Sequence, residues 1–343
     1  MKKTTVAMAV IAFLLVGALA GFGVHSLVYR ETAATSDQNG RDSDVTIDEG
    51  NEDTDARNGV DDSTDTPPPH EAFSPTNAMQ HIRFLSMSIG PRPQGTSPEI
   101  AAADYARSQF STYGYNEVKE QSFPLKNGLT SHNIYVDDKG SNSAWTIIVG
   151  AHTDTIAGPG ANDNASGVGT VLELARIFKV NDQVPNLRFV AFGAEEITEG
   201  FRKPDDHYGS KYMAAQLAGE HTNVIGMISI DMIGVGSSLY VNATVQAPKT
   251  LLDLFYAYAT QQKNVSLSFN QDPGWSDHDS FEAHGISSFW LEYQEDPNYH
   301  SSADTYDRIS SDLVNQVGGL VQGFLESLNA DTCAQLDAVS DYR

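Results

Sequence analysis

The sequence is poor in cysteine. Cys333 is the single cysteine among 343 residues. No disulfide can form within the chain, so its stability does not depend on disulfides even if the chain is exported. The same shortage leaves any metal site without thiolate ligands. Nitrogen and oxygen donors would have to hold the ion.

Basic residues are also scarce, with 21 Lys and Arg against 45 Asp and Glu and a formal net charge of -24. No arginine-rich run or basic patch stands out, which argues against a nucleic-acid partner. Much of the acidity lies in residues 31–72, which hold 13 acidic and two basic residues. This stretch is low in aromatic residues and cannot bury enough apolar surface to offset its ordering entropy. We predict a disordered acidic linker there.

A long hydrophobic run occurs near the start, where Met1-Lys2-Lys3 precedes an apolar span from Val6 to Val24. A basic flank followed by an apolar core is typical of an export signal, so we expect an extracytoplasmic protein. Two outcomes stay open for residues 1–30. Cleavage after Ala18-Leu19-Ala20 would release a secreted protein. Alternatively, residues 4–29 would remain as an uncleaved membrane anchor, the sole contact with a membrane, because the run is long enough to span a bilayer.

Residues 73–343 are predicted to form one α/β domain, because short apolar runs alternate with helical patterns. Strands are expected over residues 118–123, 132–136, 146–149, 187–192, 224–230, 265–269 and 287–291, and helices over 74–87, 98–113, 168–180, 249–263 and 311–328. The last helix is expected to close the chain. The fold class is a three-layer α/β/α sandwich with a central mixed, mostly parallel sheet.

Three of the predicted strands are followed by polar residues: His152 and Asp154, then Glu195-Glu196, then Asp231. Anions at the ends of buried strands are costly unless a cation compensates them. Parallel strands bring their carboxyl ends to one edge of the sheet, where such sites usually lie. Imidazole with carboxylates favours zinc or a similar first-row divalent ion.

At these residues the sequence resembles the M28 family of dinuclear zinc peptidases. The resemblance spans about residues 80–328 and includes Gly90-Pro91-Arg92, His152-Thr153-Asp154, Asn162 to Gly167, Glu195-Glu196, Asp231-Met232, Ser276 to Phe281 and Tyr299-His300. It implies that Asp163 bridges two Zn²⁺ ions, with Co²⁺ or Mn²⁺ as alternatives. His152 and Asp231 would complete one zinc site, and Glu196 and His300 would complete the other. This count of two histidines and three carboxylates exceeds one tetrahedral shell, so we expect two ions.

The resemblance also implies roles for residues that do not bind the metals. Glu195 would be the general base, and Tyr299 would donate to the oxyanion. Asp154 would hold the second ring nitrogen of His152, which fixes its tautomer. A non-proline cis peptide is expected at Asp163–Asn164.

Two further segments have open interpretations. Asp277 and His278 either border the substrate pocket or cap the helix that begins there. His207, in the loop after the glutamates, is expected to be a surface residue, and an alternative is that this loop overhangs the cleft.

The function that follows is that of an extracytoplasmic metallo-exopeptidase, most readily a zinc aminopeptidase acting on peptides. A carboxypeptidase or dipeptidase of the same family is an alternative, and Arg202 or Lys203 would then bind the substrate carboxylate. A glutaminyl cyclase is a second alternative, but it works with one zinc, and His152 is retained here beside Asp163 and Asp231. A catalytically inactive binding ectodomain is a third, although all five ligands are present.

Overall fold

The computed structural model describes residues 70–197, 203–220 and 222–340. The predicted signal or anchor, nearly all of the predicted linker, and Arg202 lie outside these residues. Within them, no helix combines the length and apolar character that crossing a bilayer requires.

Eight strands form one sheet in the described part of the chain. They are β1 (Lys119–Pro124), β2 (Thr130–Asp138), β3 (Asn142–His152), β4 (Pro185–Phe192), β5 (Val224–Ile230), β6 (Ser238–Ala243), β7 (Ser268–Gln271) and β8 (Ser288–Gln294). Their order across the sheet is β1-β2-β4-β3-β5-β8-β6-β7.

The centre of the sheet is parallel. Strand β3 pairs in parallel with β4 on one side and β5 on the other, and β5 pairs in parallel with β8. Strand β2 is antiparallel to β4, and β6 is antiparallel to β8. Because β4, β3 and β5 are neighbours that run the same way, the residues after His152, Phe192 and Ile230 meet at one edge.

Helices cover both faces of the sheet. They are α1 (Pro75–Arg83), α2 (Ser97–Thr112), α3 (Ser166–Phe178), α4 (Tyr208–Glu220), α5 (Thr250–Ala257), α6 (His278–Glu282), α7 (Ser311–Ser327) and α8 (Ala330–Val339). Side chains alternate across β3. Ile147 and Val149 belong to a buried cluster that includes residues of α1, α2, α3 and α7, whereas Ile148 belongs to a second cluster with residues of α4 and α6. A strand that is buried on both faces reads as a continuous apolar run, which is why β3, β4 and β5 were predictable.

The α/β/α sandwich with a mixed, mostly parallel sheet is confirmed, and several elements differ from the prediction. Strand β6 and helices α4 and α8 were not predicted, and β7 begins three residues later than expected. The prediction that residues 311–328 close the chain was wrong, because α8 follows. The buried residues of α8 are Cys333 and Leu336, so its helical periodicity is weak in the sequence.

Candidate metal centre

The loop after β3 is held by a buried arginine. Arg92 has no exposed surface, and its guanidinium donates to the backbone carbonyls of Leu85, Gly90, Thr153, Pro159 and Gly160. A guanidinium offers five N–H donors in a rigid plane, so one side chain satisfies carbonyls that an irregular loop leaves unpaired. Arg92 thereby fixes the path from His152 to the segment that carries Asp163.

Asp163 lies just before α3, in a segment that is anchored on two sides. Asp304 accepts hydrogen bonds from the backbone N–H groups of Asn162 and Asp163, at 2.7 and 3.0 Å. The Asn164 amide donates to the carbonyl of Ile230 at the end of β5, at 2.9 Å. The peptide bond between Asp163 and Asn164 is cis, as expected. These contacts place the Asp163 carboxylate between the ends of β3 and β5.

The two carboxylate oxygens of Asp163 face two different histidines. Oδ1 lies 3.3 Å from Nε2 of His152, and Oδ2 lies 3.1 Å from Nε2 of His300. Nε2 of His152 is also 3.4 Å from Oδ1 of Asp231, and Nε2 of His300 is 3.2 Å from Oε1 of Glu196. The five predicted ligands therefore form two three-residue groups that share Asp163, and the ligand atoms in each group lie within 4.8 Å of one another.

The electrostatics of this cluster fit a bound cation. Burial and the neighbouring charge of Asp163 raise the pKa of Glu196 well above its ordinary value. Burial also opposes ionisation of Asp163, but hydrogen bonds from His152 and His300 outweigh it and lower the pKa of Asp163. Oδ1 of Asp231 is buried without a hydrogen-bond partner among the described residues. Such crowded carboxylates are stable when divalent cations neutralise them, and imidazole with carboxylate is a donor set that suits zinc.

Glu195 lies beside the cluster. Its Oε2 is 4.0 Å from Nε2 of His152, and the side chain is almost completely buried. The backbone N–H groups of Glu195 and Glu196 donate to the two oxygens of Asp154, at 2.9 and 3.1 Å. Asp154 thus fixes the backbone at the point where β4 ends.

The expected bond between Asp154 and His152 is not formed. Oδ1 of Asp154 lies 3.6 Å from Nδ1 of His152, which is beyond hydrogen-bonding distance. Both Asp154 oxygens are directed instead at the backbone of the two glutamates. The tertiary packing of β3 beside β4 makes this contact available, and the spacing within the sequence does not reveal it.

His207 is buried, so the prediction of a surface residue was wrong. Its side chain is only 4% exposed and lies between two carboxylates. Nε2 is 2.9 Å from Oε1 of Glu195, and Nδ1 is 2.9 Å from Oδ1 of Asp279. Sequence reasoning missed His207 because it lies in a polar, Gly- and Pro-containing loop. The one local signal is that this loop begins directly after the glutamates.

Asp277 and His278 are fully buried, and neither lines the cavity above the cluster. The Asp277 side chain makes no capping hydrogen bond to α6, and burial raises its pKa to about 7. His278 instead bonds Oδ2 of Asp272 through Nε2 at 3.1 Å. Both interpretations of these residues, substrate contact and helix cap, therefore disagree with the structure. The same segment reaches the cluster through Ser276, whose hydroxyl donates to Oδ2 of Asp231 at 2.9 Å.

A cavity of about 510 Å³ opens over the cluster, with Trp275, Glu292 and Tyr299 in its wall. The Tyr299 ring stacks on His300, and 53% of the residue is exposed. Partial burial, followed by the charges of Asp163 and Glu196, raises the pKa of Tyr299. The phenol is therefore neutral at physiological pH and can donate a hydrogen bond into the cavity.

An open α/β sheet with imidazole and carboxylate groups converging at the carboxyl ends of its central strands is an arrangement typical of metal-dependent hydrolases. The model of peptidase family M28 matches residues 133–325, a range that contains all five predicted ligands. The chain belongs to this family, so the resemblance seen in the sequence is confirmed.

Aminopeptidase YwaD of Bacillus subtilis is 33% identical to this chain over 218 residues, which are 59% of this chain and 46% of that protein. The chain thus matches about half the length of this relative.

The fold is shared with an aminopeptidase from Aneurinibacillus sp. strain AM-1, with a TM-score of 0.66, 23% identity and coverage of 74% and 93% of the two chains. A glutaminyl cyclase from Bacteroides thetaiotaomicron aligns with a TM-score of 0.65, 21% identity and coverage of 77% and 100%. Because both proteins share this fold, the site residues must distinguish the reactions.

Proposed function

We propose that this chain is an extracytoplasmic zinc aminopeptidase that binds two zinc ions and removes N-terminal residues from peptides. The position of Asp163 carries this proposal. Its two oxygens face different halves of the ligand cluster, so one carboxylate can serve two ions. His152 and Asp231 would complete the first site, and Glu196 and His300 the second. A carboxylate shared between two ions is a common arrangement in two-metal hydrolases.

Bound zinc supplies Lewis acidity, which lowers the pKa of water toward neutrality and polarises a peptide carbonyl. Glu195 has the position of a general base, because Oε2 faces the cluster while Oε1 is bonded elsewhere. It accepts the proton of the attacking water at Oε2 and returns it to the leaving amine. The Tyr299 hydroxyl donates a hydrogen bond to the oxygen of the tetrahedral intermediate. Asp154 keeps both glutamates in place through their backbone N–H groups.

The cavity wall favours an aminopeptidase over a carboxypeptidase. Beyond the cluster it includes Glu292, Glu295 and Asp296. Lys203 also lines the cavity, but its ammonium donates to the carbonyl of Gly274 and lies 3.7 Å from Asp206. A predominantly negative wall attracts the ammonium group of a peptide N-terminus and repels a C-terminal carboxylate.

The five-ligand cluster also favours a peptidase over a glutaminyl cyclase. The resemblance implies that a cyclase works with one zinc, whereas His152, Asp163 and Asp231 form a complete second group here. A one-zinc enzyme would not need both three-residue groups, so the presence of both favours a reaction that uses two ions.

The composition of the N-terminal part of the chain supports an extracytoplasmic location and a division into three segments. Residues 1–30 would direct export or anchor the chain, residues 31–72 would be a flexible acidic tether, and residues 73–343 would form the peptidase domain. The basic flank with its apolar run and the aromatic-poor acidic stretch support these assignments.

Three peptides test the proposed activity. The purified full-length chain is loaded with zinc and incubated with an N-acetylated peptide, a C-amidated peptide, and a peptide that begins with glutamine. An aminopeptidase shortens the amidated peptide and leaves the acetylated one intact, as mass spectrometry would show. Cleavage of the acetylated peptide alone would establish a carboxypeptidase, and pyroglutamate formation without cleavage would establish a cyclase. No reaction with any peptide would support the inactive ectodomain.

A further inference from the structure

His207 bridges the proposed general base and a second carboxylate. Its Nε2 lies 2.9 Å from Oε1 of Glu195, and its Nδ1 lies 2.9 Å from Oδ1 of Asp279. His207 is buried, with a side chain that is 4% exposed, and Asp279 is mostly shielded from water, with a side chain that is 17% exposed. Both ring nitrogens face carboxylate oxygens, so both act as donors. Charge-assisted hydrogen bonds of this length in a shielded site are among the stronger ones in proteins.

The backbone around His207 is fixed as firmly as its side chain. The N–H groups of His207 and Tyr208 donate to the carbonyls of Glu195 and Ala194, each at 2.8 Å. The next residue, Gly209, donates to the carbonyl of Gly193 at 3.0 Å. His207 itself has a φ of 48°, in the left-handed region that non-glycine residues adopt uncommonly. The segment therefore returns directly to the glutamates and presents the imidazole to Glu195.

The two oxygens of Glu195 consequently have different surroundings. Oε1 accepts from His207, whereas Oε2 faces His152 and the ligand cluster. A glutamate side chain has three rotatable bonds, and an unanchored carboxylate would sample several orientations. Fixing one oxygen leaves the other aimed at the cluster. A general base needs this geometry, because a displacement of about 1 Å can lower the rate roughly 100-fold.

We propose that His207, held by Asp279, is a positioning residue that anchors Oε1 of Glu195 and directs Oε2 at the site of reaction. The inference rests on the proposed function, in which Glu195 is the general base. His207 itself need not touch the substrate. Neither His207 nor Asp279 belongs to the residues for which the sequence suggested a role in catalysis.

The kinetic test uses His207→Gly, which suits the left-handed backbone and leaves a space that free imidazole can fill. We expect kcat to fall about 100-fold, with KM changed less than about threefold because the substrate contacts remain. Zinc content should stay at the wild-type value. Added imidazole should raise the kcat of His207→Gly at least tenfold. The Asp279→Asn variant should also have a lower kcat than the wild type, but by a smaller factor than His207→Gly.

The matched control is His81→Ala. His81 is also a buried histidine, bonded to the hydroxyls of Tyr105 and Tyr113 rather than to a carboxylate. This variant should lose stability but retain kcat, and imidazole should not change its activity. Urea unfolding of each variant verifies that it is folded under assay conditions.

A second readout does not depend on activity. In the metal-free chain labelled with ¹⁵N-histidine, His207 should show both ring nitrogens protonated at pH 7 and slow exchange of its ring protons with solvent. Those signals should be absent in His207→Gly. Asp279→Asn and Glu195→Gln should each perturb the proton of the nitrogen that faces the substituted residue.

Several results would overturn the inference. Wild-type kcat in folded His207→Gly, or a rise in KM with kcat unchanged, would remove the positioning role. Loss of kcat without rescue by imidazole would indicate a merely structural residue. A ring with one protonated nitrogen, or with freely exchanging protons, would show that the bridge does not form. Failure of the wild-type chain to cleave any peptide would instead reject the proposed function, and the spectroscopic result would still test the bridge.

Discussion

The ring of Tyr299 lies stacked on the imidazole of His300, with 3.7 Å between the ring centroids and 24° between the planes. The two residues are adjacent in sequence and both line the same cavity, and His300 has a φ of 51°. Stacking on a proposed zinc ligand fixes the phenol near the cluster, so its hydroxyl can act on a bound substrate without a large movement.

The Tyr299→Phe substitution tests the hydroxyl alone, because it removes the hydroxyl and keeps the aromatic ring. The phenylalanine can still stack on His300, but the donor to the oxyanion is lost. We expect kcat to fall by about 10²–10³-fold, as for other oxyanion donors, with zinc content unchanged. Steady-state kinetics on a C-amidated peptide measures this effect. An equal loss in a control, Tyr240→Phe on strand β6, would contradict a specific role for Tyr299.

Glu195→Gln tests the general base. The amide keeps the size of the side chain but cannot accept a proton, so turnover should fall by about 10²–10⁴-fold. Zinc binding should be normal, because Glu195 is not among the proposed ligands. Metal analysis and kcat are measured on the same preparation, with Glu220→Gln as a control at a glutamate paired with Arg188. Near-wild-type activity would refute this role.

Asp163→Asn tests the shared ligand. Neutralising one carboxylate should weaken both metal sites, because both three-residue groups include Asp163. After dialysis against zinc-free buffer we expect the zinc content to fall from about two ions per chain to below one, whereas Asp312→Asn, an exposed substitution, should retain both. Elemental analysis gives the count. If the variant kept two tightly bound ions, Asp163 would not be the bridge.

The buried His81 should make the stability of the fold depend on pH, and this effect does not involve the proposed metal ligands. Burial, with a smaller effect of Arg176, lowers the pKa of His81 from 6.5 to about 4. The unfolded chain therefore takes up a proton below pH 6.5 that the folded chain does not take up until about pH 4. The stabilisation is fully present above pH 6.5 and is lost as the pH falls toward 4, an effect of about 3 kcal/mol.

Urea unfolding at pH 7 and pH 4.5 measures this contribution. The free energy of unfolding of His81→Gln should decrease less between the two pH values than that of the wild type, by about 2 kcal/mol. Carboxylates that titrate in both proteins contribute equally to the two pH dependences, so the difference between the proteins isolates the contribution of His81. Equal pH dependence in the two proteins would mean that His81 is not held neutral in the fold.

Much of the fold was predictable from local patterns. Strands β3, β4 and β5 are short apolar runs because both of their faces are covered by helices, and such runs are visible without any knowledge of tertiary contacts. The polar residues that follow them stand out for the same reason. Strand β6 has only six residues, and helix α8 buries only Cys333 and Leu336, so neither shows a strong period in the sequence.

The sequence by itself determined the sandwich and pointed to His152, Glu196 and Asp231, because carboxylates and a histidine that follow buried strands mark one edge of a parallel sheet. The resemblance to the M28 family added Asp163 and His300 to the proposed ligands. Only the tertiary structure decided which hydrogen-bond partner each polar group of the site has. Asp154 reaches the backbone of Glu195 and Glu196 because β3 lies beside β4. His207 becomes buried against Glu195 because its loop folds back to the end of β4. Such contacts depend on the path of the chain in space, which residue types and local spacing do not encode.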